Sequence, residues 1–322
     1  MINKGVTIII CTFNGENRLE STIKHIAEQI VSPRIKWEVI LADNGSNDNT
    51  KKVALENWNK YNSNDIPFCI LEETKPGKLY ALQAAVSQAN YECLIICDDD
   101  NWLANDYVSK AFKLLETHRN VAAAGGLGIP VSDSIFPDWF SDYHYAYAVG
   151  PQSVKKGIIK SRGILWGAGL VTRKSIYLNM YKQYQSFLPE SKLNILSAED
   201  TEYCIRLQLK GYDLYYDPSL IFHHFIPSFK LSTEFRDNKL LKGFKDSQEI
   251  LSKYYAAMRA YKKTKGRWDI KLGLLLIAPI NYIFSFSKRR AEKAKNTLYH
   301  LLPFEINTDS VSKRIKSFVK NR

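Results

Sequence analysis

Cys93-Leu-Ile-Ile-Cys-Asp-Asp-Asp-Asn101 sets a continuous apolar, β-rich run directly before three carboxylates. An uninterrupted apolar run of this length suits a strand buried on both faces, as in a parallel sheet covered by helices. Cys93 and Cys97 then share one face of that strand, where packing accounts for them. Three similar runs precede it: Val6-Thr-Ile-Ile-Ile-Cys11, Trp37-Glu-Val-Ile-Leu-Ala42 and Phe68-Cys-Ile-Leu71. Between them apolar residues recur at helical spacing. Leu19, Ile23, Ile26 and Ile30 form one stripe, a segment from about Asp48 through Trp58 reads as a second helix, and Leu79, Leu82 and Val86 mark a third. Val108, Phe112 and Leu115 continue the pattern after the fourth run. Strand–helix alternation at this rhythm predicts an α/β fold with a largely parallel sheet.

After Gly125 the rhythm changes. Residues 127–160 read as an aromatic loop holding Trp139, Phe140, Tyr143, Tyr145 and Tyr147. Trp166-Gly-Ala-Gly-Leu-Val171 reads as a strand, Glu199 to Gly211 as a helix, and Leu214-Tyr-Tyr216 and Leu220-Ile-Phe222 as two short strands. Beyond Pro227 the sequence predicts helices rich in Lys and Arg.

Composition bounds the function. With 322 residues, 45% hydrophobic and 24% charged, the chain can bury a large core without disulfide or metal staples, and disorder is excluded for it as a whole. The net charge of +12 is unevenly placed: residues 230–322 hold 22 Lys and Arg against 8 Asp and Glu, the first 229 residues 23 against 25. A near-neutral body with a basic tail predicts a tail that meets something anionic, either nucleic acid or a membrane surface. Leu272 to Phe286 is apolar but is broken by Pro279 and Asn281, which suits an interfacial helix better than a membrane span. Five cysteines without a CxxC pair, and an N-terminus that opens straight into a strand, predict a reducing, cytoplasmic setting.

In an open parallel sheet, ligands bind beyond the carboxyl ends of the strands. The first strand ends in Thr12-Phe13-Asn14, the second in Asp43-Asn-Gly-Ser46 and the fourth in Asp98-Asp99-Asp100, so one cleft can collect all three. Adjacent carboxylates repel and stay ionised only with a cation or hydrogen-bond donors nearby. Carboxylate oxygens suit Mg²⁺ or Mn²⁺, which commonly combine one or two carboxylates with substrate phosphates. Beside that edge, Asp43 is a candidate acceptor for a nucleobase N–H or a ribose hydroxyl. Lys75-Pro-Gly-Lys78 puts two ammonium groups at a helix start, a reasonable place for phosphate.

Thr12-Phe-Asn14, Asp43-Asn-Gly-Ser-Asn-Asp48, Pro76-Gly-Lys78, Asp98-Asp-Asp-Asn101, Trp166-Gly-Ala-Gly169 and Ala198-Glu-Asp-Thr-Glu202 follow one another as in the family 2 glycosyltransferases, which the chain resembles from residue 5 to about 230. The resemblance implies a GT-A fold, a nucleotide-sugar donor, a divalent metal (Mn²⁺ or Mg²⁺) and inversion at the anomeric carbon. It divides the chain into a GT-A unit over residues 1–229, with a nucleotide-binding half to 125 and an acceptor and catalytic half from 126, and a basic helical region over 230–322. It places Thr12, Phe13, Asn14 and Asp43 on the nucleoside, with Lys78, Asp98 and Asp99 also on the nucleotide-sugar. It makes Asp100 the metal ligand that bridges to the diphosphate, and Trp166, Gly167 and Ala168 the lining of the sugar and acceptor side. In the Glu199-Asp200 pair, Asp200 resembles the catalytic base. There are two departures: Phe13 stands where an aromatic hydroxyl is common, and two histidines, His223 and His224, stand where the family often has one metal or phosphate ligand.

The implied enzyme moves a sugar, UDP-linked by family habit, to a hydroxyl of a saccharide or lipid-linked acceptor in surface polysaccharide or glycan assembly. In that setting the basic region is expected on an anionic membrane surface at the inner face, rather than on nucleic acid. Two other readings share part of these features. A Mg²⁺-dependent phosphoacceptor domain has acidic strand ends but no use for Trp166-Gly-Ala-Gly169 or Glu199-Asp200. A carbohydrate- or nucleic-acid-binding module would use the aromatic loop and the basic tail without releasing a nucleoside diphosphate.

Overall fold

The computed structural model describes residues 3–62, 65–159, 163–188, 198–264, 288–302 and 309–320, with short pieces between 272 and 279. Strands β1 (Val6–Thr12), β2 (Trp37–Asp43), β3 (Phe68–Glu72) and β4 (Cys93–Asp98) run parallel, in the order β3-β2-β1-β4. Helices α1 (Leu19–Ala27), α2 (Thr50–Tyr61) and α3 (Lys78–Gln88) make the crossovers between them. The short β5 (Asn101–Leu103) follows β4, then α4 (Tyr107–Thr117) and β6 (Val121–Val131). A helical turn α5 (Phe140–Tyr143), β7 (Gly157–Ile158), β8 (Leu170–Arg173), α6 (Lys174–Lys182), α7 (Glu199–Leu209) and β9 (Asp213–Phe225) complete the body. The sheet continues from β4 as β8-β6-β9-β5, with β7 also on β9. β8 is antiparallel to both of its neighbours, while β6 and β9 run with the first four strands. The mixed, mostly parallel α/β sheet expected from the alternation is the one observed.

The apolar strands β1, β2 and β4 are buried on both faces, which is why their runs are continuous. In β1, Ile9 and Cys11 face α3, α6 and α7, whereas Val6, Ile8 and Ile10 face α1, α2 and α4. Cys93 and Cys97 lie together on the second face, as their spacing predicts. The five cysteines are unpaired; four are buried and Cys69 is exposed on β3.

The second half departs from the sequence reading in three places. The segment after Leu127 begins as the end of β6 rather than as loop. Its glycines hid the strand, and close packing requires them: a Cβ on Gly126 would stand 1.8 Å from the Leu220 carbonyl oxygen. Trp166 to Gly169 is extended chain and turn, and β8 starts only at Leu170, because Gly169 takes a left-handed φ of 68°. The two short strands are one, β9, which passes through Asp217-Pro-Ser219 by a local irregularity. There Ser219 donates its N–H (3.0 Å) and hydroxyl (2.8 Å) to the Asp217 carboxylate.

The basic region holds helices, as expected: α8 (Lys242–Thr264), α9 (Lys288–Leu301) and α10 (Ser310–Lys320). Tyr254, Ala257 and Met258 of α8 and Ile315 and Phe318 of α10 join the core beneath α6 and α7. Several buried cations have local partners. Lys253 pairs with Asp309 at 3.1 Å, and Lys316 donates to the carbonyls of Tyr299 (2.8 Å) and Leu302 (2.9 Å). Among the described residues no helix is long and apolar enough to cross a membrane. Most of the Leu272–Phe286 stretch lies outside them; Leu272, Leu276 and Ile277, which are described, are exposed.

Because Ile315 is fully buried, Ile315→Ala is expected to cost about 2–5 kcal/mol of stability. Urea unfolding followed by circular dichroism measures this, and an unchanged midpoint would remove α10 from the core.

Candidate active site

The carboxyl ends of β1, β2 and β4 meet along one edge. Thr12 ends β1, and Asn14 turns the chain with a left-handed φ of 48°, a conformation asparagine tolerates. Its N–H donates to Ser46 Oγ (2.8 Å) and its Oδ1 accepts from the Asn47 N–H (3.0 Å), which locks the loops after β1 and β2 together. Phe13 is exposed. Asp43 is fully buried at the end of β2. Its Oδ1 accepts from the Ser46 N–H (3.2 Å) and hydroxyl, while its Oδ2 has no partner among the described residues. A buried carboxylate oxygen without a donor is costly and marks a place for an incoming N–H or O–H.

Asn44 holds the loop that leads to α3. Its Nδ2 donates to the carbonyls of Glu73 (2.9 Å) and Lys75 (2.7 Å), and its Oδ1 accepts from the Gly77 N–H (2.7 Å). The loop aims Lys78, the first residue of α3, across the cleft. The Lys78 ammonium lies 2.5 Å from Asp98 Oδ1 and 3.5 Å from Glu199 Oε1. Burial opposes its charge, but Asp98 and Glu199 outweigh burial and hold its pKa well above the ordinary lysine value.

The three aspartates diverge. Asp98 faces Lys78. Asp99 turns inward, where its carboxylate accepts from Thr12 Oγ1 (2.7 Å) and from Arg18 Nε (3.0 Å) and Nη2 (2.7 Å). Burial, together with the Asp100 charge, lifts its pKa despite those donors. Asp100 meets His224 Nε2 at 3.3 Å and Lys230 Nζ at 3.4 Å. Burial works against its ionisation, but the charges of His224 and Lys230 pull it far below the usual carboxylate range. Burial likewise opposes a charge on His224, and Asp100 overcomes it, so the imidazole pKa is raised. His223 alternates to the other side of β9 and pairs in register with Trp102; burial, helped by the charge of His25, lowers its pKa. Of the two histidines, His224 is the one that reaches the aspartates.

Glu199 and Asp200 open α7 on the far wall. Asp200 accepts from the Gly167 N–H (3.0 Å) through Oδ2 and from the Thr201 N–H (2.5 Å) through Oδ1. Trp166, half-buried beside them, donates its N–H to Gln152 Oε1 (2.8 Å), while Ala168 packs inside. A helix N-terminus favours the carboxylate form, as do these donors. Burial and the neighbouring Glu199 charge win, however, and push Asp200 up to about 7. Lys78, Gly167, Glu199, Asp200, Tyr177 and Tyr203 line a small cavity.

The edge thus collects Thr12, Asn14, Asp43, Lys78 and Asp98 to Asp100 with Glu199, Asp200, Gly167 and His224. Asn44, quoted in the sequence only as part of the Asp43 motif, also serves it, as do Arg18, Gln152 and Lys230, which did not stand out. Arg18 lies 81 positions from Asp99 and belongs to no spaced motif. Lys230 was visible only as the first residue of the basic region, although its place shortly after His224 was a usable signal.

Comparison with known proteins gives the chain's family. The glycosyl transferase family 2 profile matches residues 7–170, and that of glycosyl transferase family group 2 matches residues 93–286. Poly-beta-1,6-N-acetyl-D-glucosamine synthase of Staphylococcus aureus (strain MSSA476) is 23% identical over 218 residues, 67% of this chain and 48% of that protein. The chain therefore spans about half the length of the curated relatives it matches. Staphylococcus aureus TarS 1-349 in complex with UDP superposes with a TM-score of 0.54 at 13% identity, covering 98% of this chain and 90% of that one. The mannosyltransferase PcManGT of Pyrobaculum calidifontis, in complex with GDP-Man and Mn²⁺, gives 0.55 at 18% identity, covering 99% and 87%. At these identities the structural likeness establishes the fold, a GT-A sheet.

Since the Glu199 charge helps burial to raise Asp200, Glu199→Gln is expected to lower the Asp200 midpoint from about 7. A ¹³C carboxyl titration by NMR reads this, and an unmoved midpoint would leave burial as the whole cause.

Proposed function

The chain belongs to glycosyl transferase family 2, and on that premise we propose an inverting transfer of a sugar from a nucleoside diphosphate to a hydroxyl of a saccharide or lipid-linked acceptor. One observation carries the reading. Asp98 and Glu199, far apart in the chain, meet on the single ammonium of Lys78, so the nucleotide edge and the Glu199-Asp200 wall form one cleft.

The nucleobase sits over Asp43, whose Oδ2, without a partner among the described residues, accepts a ring N–H. Uracil N3–H and guanine N1–H both meet that requirement; the UDP bound by TarS favours uracil, and the GDP-Man bound by PcManGT keeps guanine in the test. Thr12, Phe13 and Asn14 border the nucleoside, with Asp99 and Arg18 bracing Thr12 from below.

The donor set fits a divalent cation. A carboxylate oxygen and an imidazole nitrogen, Asp100 Oδ1 and His224 Nε2, stand together 3.3 Å apart, a donor pair that suits Mn²⁺ or Mg²⁺. Among the described residues no group of three such side chains gathers, so Asp100 and His224 would hold Mn²⁺ or Mg²⁺ with phosphate and water completing the shell. When bound, the ion supplies Lewis-acid charge to the leaving diphosphate. Lys230 adds an ammonium on the same side and Lys78 a second from α3. Trp166 and Gly167 line the sugar, while Ala168, expected beside them, packs in the core behind.

Asp200 takes the acceptor hydroxyl proton as that oxygen attacks the anomeric carbon from the face opposite the diphosphate. A single base and a single displacement invert the centre; a double displacement would need a carboxylate nucleophile as well. The basic region, with exposed Leu272, Leu276 and Ile277, suits residence on an anionic membrane beside a lipid-linked acceptor.

Asp200→Asn is expected to keep donor affinity within a few-fold and to reduce transfer by about 10²–10⁴. Calorimetry with UDP- and GDP-sugars measures the first quantity and product release the second; full transfer by the variant would sink the assignment. Asp200 works as a carboxylate, and its pKa stands at about 7. The transfer rate should therefore rise with pH through about 7 and level above it. A profile that stays flat from well below that midpoint to well above it would show that another group takes the proton.

A further inference from the structure

We infer that Tyr254 of α8 is a positioning residue for Asp200, acting through Glu202 and Arg206 of α7, so that the basic C-terminal region is part of the catalytic support. The inference rests on the reading of Asp200 as the base.

Glu202 lies in the first turn of α7, two residues beyond Asp200, and is fully buried, as are Arg206 and Tyr254. Glu202 Oε1 accepts from the Phe187 N–H (2.9 Å), from the Tyr254 hydroxyl and from Arg206 Nη2 (3.1 Å); its Oε2 accepts from Ser186 Oγ (2.6 Å). Arg206 uses all five of its N–H donors. Nε donates to the Tyr254 hydroxyl oxygen (3.1 Å), Nη1 to the carbonyls of Met180 (2.7 Å) and Tyr184 (2.6 Å), and Nη2 to the Gln185 carbonyl (2.7 Å) and Glu202. The rings of Tyr181, Phe187 and Phe318 lie 4.6, 4.7 and 5.1 Å from the guanidinium carbon.

The first turn of α7 is therefore tied on three sides. Asp200 holds it to the turn at Gly167, Glu202 holds it to residues 186–187, and Tyr254 holds it to α8. Among the described residues, the Tyr254 hydroxyl is the group that joins both members of the ion pair to the C-terminal region. Removing that oxygen leaves a buried Arg206 N–H without an acceptor and takes one donor from Glu202. The turn can then shift relative to Gly167, and a displacement of about 1 Å at a reacting group can cost about 10²-fold in rate. The hydrogen bonds of this network stay clear of the Asp43 and Asp100 side of the cleft, so donor binding is spared.

The test is a double-mutant cycle in the full chain between Tyr254→Phe and Asp200→Asn, with kcat, KM and calorimetric donor affinity measured for each protein. Tyr254→Phe is expected to lower kcat about tenfold, with donor Kd and KM within about twofold, and to add no further loss in the Asp200→Asn background. Ile26→Val, buried on the opposite face of the sheet, serves as a stability control that lowers the melting temperature without changing kcat. An unchanged kcat in Tyr254→Phe overturns the inference. So does an equal fold-loss in both backgrounds, or a parallel weakening of donor binding. Full activity in Asp200→Asn alone overturns the base assignment instead, which separates the two failures. If Tyr254→Phe does not fold, Ser186→Ala, which removes one donor to Glu202, takes its place, with a smaller kcat loss and the same absence of a further effect in Asp200→Asn.

Discussion

Besides Asp43, five carboxylates of the described residues crowd one edge of the sheet, and the cations set among them decide whether that edge can exist. Asp98, Asp99, Asp100, Glu199 and Asp200 would repel one another if they faced a common void. The fold gives them separate partners: Lys78 for Asp98 and Glu199, Arg18 for Asp99, and His224 with Lys230 for Asp100. Among the described residues Asp200 is the one of the five without an ion pair, and it is the carboxylate driven up to about 7. The charge pattern of the cleft thus separates four ion-paired carboxylates from one that is not, which is what the proposed division between donor-holding groups and a base requires.

The same logic extends below the cleft. The buried Glu202–Arg206 pair is stable only because its remaining hydrogen-bonding capacity is filled by carbonyls, a serine hydroxyl and a tyrosine from another helix. That requirement draws the C-terminal helices onto the body. Ile315 and Phe318 then share a core with the central strands, and among the described residues two lysines of the basic region, Lys253 and Lys316, are spent inside the protein. The excess of positive charge is therefore partly a structural feature, and only the remainder is left for a surface.

Much was legible in the sequence because burial on both faces writes itself as an uninterrupted apolar run. β1, β2, β3 and β4 stand within a residue of where those runs put them, and α3 begins at Lys78 as read. The second half was harder. β6 was obscured by glycines that exist to let β9 approach, and β9 was split by an Asp-Pro-Ser irregularity that looks like a turn. In the site, strand ends pointed to Thr12, Asp43 and the three aspartates, and the Glu199-Asp200 pair stood out at a helix start. Arg18 and Lys230 did not stand out, since a cation's value there comes only from the carboxylate it faces.

Sequence alone determined the α/β class, the edge on which polar residues would gather and the family motifs in their order, because these follow from local periodicity and from where strands end. The tertiary structure decided which aspartate meets which cation, that His224 rather than His223 reaches Asp100, and that α8 and α10 belong to the core. It also reversed one local rule. The helix N-terminus by itself favours an ionised Asp200, but burial and the adjacent Glu199 charge prevail, and the Gly167 turn and Lys78 that face it come from segments distant in the chain.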